Sequence, residues 1–340
     1  MPENLSELFK KGEQETLTGE FEKACAIYEE ILRTCEGTED QLSTARARML
    51  LADVETLRGR FAEAVPHYMK AFKVFSAVND LAGLANTFRG LGYIHWRKGD
   101  YSMAEEYLRN GLERAMASGD REVQGRVLID LGNVTASMGR LEEAEWLYKQ
   151  AIDVLEGTGA KFEQDRALMN LGDIYLTRGD VRKAAYTWDI AINKCRARTD
   201  VSNLGWALLN HSEAMALLGE LSSVPKELEE ARGIMVATDD RVGLAATKRV
   251  MAQWATAKGD WETAEREFES ALADYQEMGL AERQATVHRL FAEMLAKKGD
   301  KARAGKQLAK AEETFRDIGN EREVEMTKAM ADRLAQQGLL

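Results

Sequence analysis

Three kinds of residue in this sequence have types and spacings that could do chemistry. The first is paired acids. Glu142-Glu143 and Glu229-Glu230 invite a general-acid and general-base reading, which needs two carboxyls in unlike surroundings. Both pairs fall on the polar faces of amphipathic segments, where a solvated helix surface accounts for them. The second kind is nitrogen and sulfur groups. His67, His95, His211 and His288 are widely separated, and packed or solvated structural histidines explain them better than a base or a ligand set. Cys25, Cys35 and Cys195 are an odd, small number of thiols, which argues against a disulfide framework. Ten residues on one helix put Cys25 and Cys35 about 15 Å apart along the axis and on different faces, too far for a bridge or a shared metal. No phosphate-binding glycine loop, His-Glu-x-x-His or paired-cysteine spacing is present. The expectation is a protein that is not an enzyme and that carries no metal or cofactor. The third kind, arginines and side-chain amides, has a pattern, and it follows that of the elements that carry them.

Those elements repeat. Glycine falls at Gly19, Gly59, Gly99, Gly139, Gly179, Gly219, Gly259 and Gly299, a spacing of 40 residues every time. With 27 glycines in 340 residues, eight hits in one phase arise by chance about once in ten million trials. Five residues after the glycine stands alanine in every copy but one, where Val224 replaces it. Nine after it comes a large apolar residue: Tyr28, Tyr68, Leu108, Tyr148, Trp188, Leu228, Phe268 and Leu308. Seven before it comes a small one: Gly12, Ala52, Gly92, Gly132, Gly172, Ser212, Ala252 and Ala292.

These offsets predict two helices per repeat. Positions two, five, nine and twelve after the glycine share one helical face. Small residues on one helix let backbones approach closely, and large residues one turn away fill the space between them. The glycine ends the first helix in a left-handed turn. Asp100, Asp180, Asp260 or Asp300 follows it in four copies and is placed to cap the second helix. The aromatics Phe61, Tyr101, Trp188 and Trp261 repeat in phase and are expected in the core. Pro66 predicts a kink in its helix, and Ser222-Ser223-Val224-Pro225 a second helix that starts a turn late.

Leu91-Gly92 before the turn, Gly99-Asp100 at it and Ala104 after it, with Leu171-Gly172, Tyr175, Gly179-Asp180, Ala184 and Ala191 as a second copy, resemble the tetratricopeptide repeat. A 40-residue period with a further Gly119-Asp120 is similar to the subclass found in Leu-Gly-Asn polarity adaptors, kinesin light chains and bacterial regulators. The resemblance implies an all-α, right-handed α-solenoid. Eight repeats would occupy residues 1–319, and 320–340, striped by Val324, Met330 and Leu334, would form a C-terminal capping helix.

In such a solenoid the first helices line a concave groove. Thirteen places before the glycine stand Arg46, Arg126 and Arg166, and ten before it Arg89, Arg249 and Arg289. Nine before come Asn170 and Asn210, with Gly90 and Asp130 at that slot in two other copies. Six before come Tyr93, Asn133 and Gln253. Trp96 and Trp206 lie on first helices away from the seam and are placed to face the groove. The resemblance implies that the asparagines hold the backbone of an extended peptide and the arginines its acids. The chemistry agrees, since an amide both donates and accepts and arginine grips carboxylate in a fork. The alternative is that these arginines pair with acids of neighbouring repeats, such as Asp53, Asp130, Asp173 or Glu213.

A net charge of −11 disfavours nucleic acid and anionic membranes as partners. No apolar run reaches 18 residues, so no membrane span is expected, and Met1–Lys11 lacks the pattern of a signal peptide. The expected place is the cytoplasm. The expected function is a protein interaction scaffold that binds an extended, partly acidic segment in its groove. The alternative is a regulatory sensor of a small peptide or metabolite acting on a separate effector chain. An exposed terminal helix also offers a route to self-association.

Overall fold

The computed structural model describes residues 3–198 and 200–340; of the N-terminal segment considered above, Met1 and Pro2 lie outside the described residues. Among the described residues there are seventeen α-helices and no strand. They follow one another in pairs: α1 (Glu3–Leu17) and α2 (Phe21–Cys35), α3 (Gln41–Leu57) and α4 (Phe61–Val78), α5 (Leu81–Arg97) and α6 (Tyr101–Ser118), α7 (Arg121–Ser137) and α8 (Leu141–Leu155). After these come α9 (Lys161–Thr177) and α10 (Val181–Arg198), α11 (Val201–Leu218) and α12 (Val224–Ala237), α13 (Arg241–Lys258) and α14 (Trp261–Glu277), α15 (Ala281–Lys298) and α16 (Lys301–Asp317), and lastly α17 (Glu321–Gln336).

The turn within each pair is built as the spacing predicts. All eight phase glycines have positive φ, between 74° and 93°, a conformation that a Cβ makes costly. At Gly99 the turn closes with Gly99 N donating to Trp96 O and Asp100 N to His95 O, both at 2.9 Å, so carbonyls left over at the end of α5 are satisfied. Asp100, Asp260 and Asp300 then accept the N–H of Met103, Thr263 and Arg303 in the first turn of the second helix.

The seam between paired helices is the contact of small and large residues. A Cβ added at Gly132 would lie 2.6 Å from the Tyr148 ring, one at Gly12 2.7 Å from Tyr28, and one at Gly92 2.7 Å from Leu108. The alanines five after the glycine, Ala24, Ala64, Ala104, Ala144, Ala184, Ala264 and Ala304, are wholly buried. The aromatics expected in the core divide. Trp188 is wholly buried, Phe61 and Trp261 are half-buried, and Tyr101 is 36% exposed. The last three sit in the first turn of their helices, where no preceding turn covers them. Helix α12 begins at Val224 with Pro225 in its first turn, three residues later than its counterparts. Pro66 lies inside α4, which runs unbroken as an α-helix to Val78.

The chain forms two compact units, Met1–Ile174 and Tyr175–Leu340. In the first, second helices pack against the next pair's first helix, α2 on α3, α4 on α5 and α6 on α7, and first helices also meet directly, α3 on α5 and α5 on α7. The second unit repeats the arrangement, with α11 on α13, α13 on α15 and α15 on α17. Helix α17 lays Val324, Thr327 and Leu334 into the core beside α16 and α15. Each unit is thus a solenoid of helix pairs that presents a row of first helices on one face.

The seam yields a direct test. Gly132→Ala should lower stability by about 1–3 kcal/mol, because its Cβ enters the Tyr148 ring. Gly305→Ala, at a helical site with nothing within 4 Å of the new Cβ, should raise stability by up to about 1 kcal/mol. Urea unfolding followed by circular dichroism compares the two.

Candidate functional site

In the first unit the row of first helices is hollowed into a cleft of 940 Å³ that crosses α1, α3, α5 and α7. Glu13, Arg46, Asp53, Arg89 and Arg126 line it, with Met49, Leu50 and Phe75 as apolar wall. A smaller cavity of 220 Å³ shares Asp53 and Arg89 and adds Tyr68, Tyr93, Asp130 and Arg166. Five of the residues expected in the groove, Arg46, Arg89, Tyr93, Arg126 and Arg166, therefore line these two cavities. Asn133 and Asn170 meet each other: Asn170 Nδ2 donates to Asn133 Oδ1 at 2.8 Å, and the Tyr148 hydroxyl donates to the same oxygen at 2.7 Å. Asn210, Arg249, Gln253 and Arg289 belong to the second unit and line neither cavity. The indoles of Trp96 and Trp206 tie first helices together, Trp96 Nε1 donating to Ser137 Oγ at 2.9 Å and Trp206 Nε1 to Asp240 Oδ2 at 3.0 Å.

All six arginines face a carboxylate on a neighbouring first helix, but not equally. Arg46 meets Glu13 at 2.7 Å and Arg289 meets Glu323 at 2.6 Å. Arg249 forks onto both oxygens of Glu213, with Nη2 to Oε2 at 2.8 Å, and Gln253 Nε2 adds a bond at 3.1 Å. These have the short lengths of charge-assisted bonds. The other three are longer. Arg89 to Asp130 is 3.3 Å, Arg126 to Glu163 is 3.5 Å and Arg166 to Asp130 is 3.6 Å. A guanidinium has five N–H donors, so a single long contact leaves most of its capacity unspent.

Two acids in the same slot, six residues before the turn glycine, behave oppositely. Burial pushes Glu213 up, yet the Arg249 charge and the Arg249 and Gln253 hydrogen bonds more than reverse this and hold it below the usual glutamate value. Asp53 is also pushed up by burial. There the nearby Arg89 and Arg126 charges and a hydrogen bond from Tyr68, hydroxyl to Oδ1 at 2.5 Å, do not compensate, and its pKa stays above the ordinary one. Arg89 stands 36 residues after Asp53, as Arg249 does after Glu213, but aspartate is one methylene shorter and Arg89 turns to Asp130 instead.

The cleft also holds acids that the arginine pattern did not reveal. Asp40, Asp80 and Asp120 lie at its margin and cap α3, α5 and α7 by accepting the N–H of Ser43, Gly83 and Val123, each at 3.0 Å. Their signal was legible: they keep the 40-residue phase, and Asp200 and Asp240 resume it after Ala160.

Elsewhere polar groups that resemble catalytic sets have structural partners. His211 Nδ1 and Ser212 Oγ both bond to Glu227 Oε2, at 2.7 and 3.1 Å. The hydroxyl goes to the carboxylate rather than to the imidazole, so no serine-histidine relay is formed. This pair stands where other repeats have Leu-Gly, and Glu227 satisfies it inside the seam. His288 meets Gln307 at 2.5 Å, and His95 meets Asp100 at 3.1 Å. Cys25 Sγ donates to Glu55, and burial pushes its thiol up to about 11, far from a reactive thiolate.

The tetratricopeptide repeat family model matches residues 5–77 and 83–157, which are the helix pairs that build the cleft. These residues form tetratricopeptide repeats. Solved structures agree in fold. Apo RapI superposes with a TM-score of 0.67 over 81% of this chain and 98% of its own, at 16% identity. Aspartyl phosphate phosphatase F from Bacillus subtilis gives 0.66 over 86% and 75%, at 13% identity. The Rap conjugation gene regulator of plasmid pLS20, in complex with the Phr* peptide, gives 0.64 over 94% and 97%, at 15% identity. Identities this low establish a shared architecture of helix pairs. No curated protein matches the sequence. No helix among the described residues is long and apolar enough to cross a membrane.

The two acids of this repeat protein should differ in their effect on stability. A carboxyl whose folded pKa is lowered stabilises the fold above its unfolded pKa, and the benefit is lost as pH falls through the folded value. Glu213→Gln should therefore cost about 3–5 kcal/mol at pH 7, with the deficit closing below pH 4.5, the ordinary glutamate value. A carboxyl whose folded pKa is raised does the reverse, and its ionised form weakens the fold at neutral pH. Asp53→Asn should be at least as stable as wild type at pH 7, with the gap closing toward 3.8, the ordinary aspartate value. Thermal melts of both variants from pH 7 to 3.5 test the opposite signs.

Proposed function

We propose that the chain is a protein interaction scaffold that takes an extended peptide segment in the cleft of its first unit. The observation that carries this reading is a 940 Å³ cleft in which two of the three lining arginines, Arg89 and Arg126, have long internal ion pairs. That volume is at the upper end of ordinary ligand sites and suits a short run of residues. Arg126 and Arg166 receive acidic side chains of the segment, using donors that Glu163 and Asp130 leave over. Arg46, Arg89 and Tyr93 complete the wall. The remaining amide hydrogens of Asn133 and Asn170 go to the segment's backbone. Because the internal contacts are long, a ligand carboxylate adds bonds without stripping a buried acid of its partner, the step that makes breaking a tight pair costly.

In the second unit, Arg249 and Gln253 with Glu213, and Arg289 with Glu323, hold successive first helices together, beside Asn210 on α11. The solved structure of a Rap regulator with the Phr* peptide supports the idea that helix pairs of this kind take peptides. The sensor reading uses the same site with a small peptide or metabolite, and the 220 Å³ cavity beside the cleft favours it as the second choice.

The test is selection of displayed random peptides on the whole chain. Selected sequences should carry acids. Their affinity should fall at least about tenfold, 1.4 kcal/mol or more, for the Arg126→Glu, Arg166→Glu double variant, measured by calorimetry. Equal affinity for wild type and a folded double variant would remove the cleft from consideration. No peptide selected, with a compaction on adding a metabolite mixture seen by X-ray scattering, would favour the sensor.

A further inference from the structure

The cleft contains one charge that the protein leaves uncompensated, and it is negative. Five carboxylates, Glu13, Asp40, Asp53, Asp80 and Asp120, line it against three guanidiniums, Arg46, Arg89 and Arg126. Four of the five are engaged. Glu13 holds Arg46 at 2.7 Å. Asp40, Asp80 and Asp120 accept backbone N–H groups at the starts of α3, α5 and α7, where the helix dipole also favours negative charge.

Asp53 differs. Among the described residues it has no ion pair, and its hydrogen bond comes from a neutral donor, the Tyr68 hydroxyl. The arginines that surround it are turned elsewhere, Arg89 to Asp130 and Arg126 to Glu163. Its position is central as well, since it lines both the 940 Å³ cleft and the 220 Å³ cavity beside it. Gly90 lines that cavity, at the slot where two other repeats have asparagine. A Cβ there would lie 2.3 Å from the Tyr68 ring, so the ring packs directly on the α5 backbone while its hydroxyl bonds to Asp53.

We propose that Asp53 receives a cationic group of the bound segment, a lysine or arginine side chain or an N-terminal ammonium, seated in the 220 Å³ cavity that Asp53 lines. A half-buried carboxylate whose hydrogen bond is from a neutral donor gains both charge neutralisation and N–H donors from such a group. The proposal rests on the peptide reading of the cleft and adds to it: the segment carries a cation beside the acids that Arg126 and Arg166 take.

The experiment is a double-mutant cycle on the whole chain, using a peptide selected as above. Wild type and Asp53→Asn are each titrated with the parent peptide, its lysine- or arginine-to-glutamine version and its N-acetylated version. On wild type, glutamine substitution or acetylation should weaken binding at least about tenfold, in the range of measured couplings between close charge pairs; which of the two does so identifies the source of the cation. On Asp53→Asn the same change should cost no more than about twofold. A thermal melt guards against misfolding, and Asp53→Asn is expected to be no less stable than wild type. If Asp53→Asn binds the parent peptide as tightly as wild type while Arg126→Glu, Arg166→Glu loses it, the cation site is wrong and the peptide reading stands. Selected peptides without any required cation would have the same meaning. If wild type binds no peptide, both fall.

Discussion

Everything in this molecule depends on how closely the two helices of a pair approach. Gly12, Gly92 and Gly132 leave room that Tyr28, Leu108 and Tyr148 fill, and the other pairs meet the same constraint with glycine, alanine or serine opposite a large residue. Because each pair is set at one distance and closed by a turn glycine in a left-handed conformation, each pair is nearly a copy of the last. A residue type that recurs every 40 positions becomes a row along one face. The arginines, the capping aspartates and the acids six before the glycine are brought to neighbouring helices by this constraint alone.

A row of first helices creates an electrostatic problem that each unit solves locally. Charged groups on adjacent helices must pair with one another, with backbone groups or with something outside. Capping aspartates turn to backbone N–H, where their charge also meets the helix dipole. In the second unit Glu213 reaches across to Arg249 and the pair is tight enough to hold the carboxyl ionised against burial. In the first unit the corresponding acid is an aspartate, and it falls short. Arg89 moves to Asp130, which is then shared with Arg166 at a longer distance. The shorter acid, with Asp130 and Tyr68 as competing partners, thus separates a long pairing from a tight clamp.

The departures from the repeat pattern show the same economy. Where Leu-Gly becomes His211-Ser212, the seam would bury two polar groups, and Glu227 accepts from both. The late start of α12 at Val224 accompanies this change in the same repeat. At Gly90 an amide is replaced by glycine, and the Tyr68 ring packs against the bare backbone.

The sequence by itself determined the helix pairs, their turn residues, the alanines and large residues of the seam, and the face on which the arginines lie. It did so because these follow from periodicity within one chain segment, which 3.6 residues per turn converts directly into direction. The capping row at Asp40, Asp80 and Asp120 was equally legible from its phase. The exposure of Tyr101 was not, since a residue two after the glycine lies on the core face but at a helix end that nothing covers. Only the tertiary structure decided which arginines are clamps and which are loosely held. Arg89 and Arg249 occupy one slot, as do Asp53 and Glu213, and repeat position treats them as equals. Their pairing depends on distances between helices 36 residues apart and on competition from third groups such as Asp130 and Tyr68. Differences of less than 1 Å across that gap set the outcome, and no periodicity within one segment contains them.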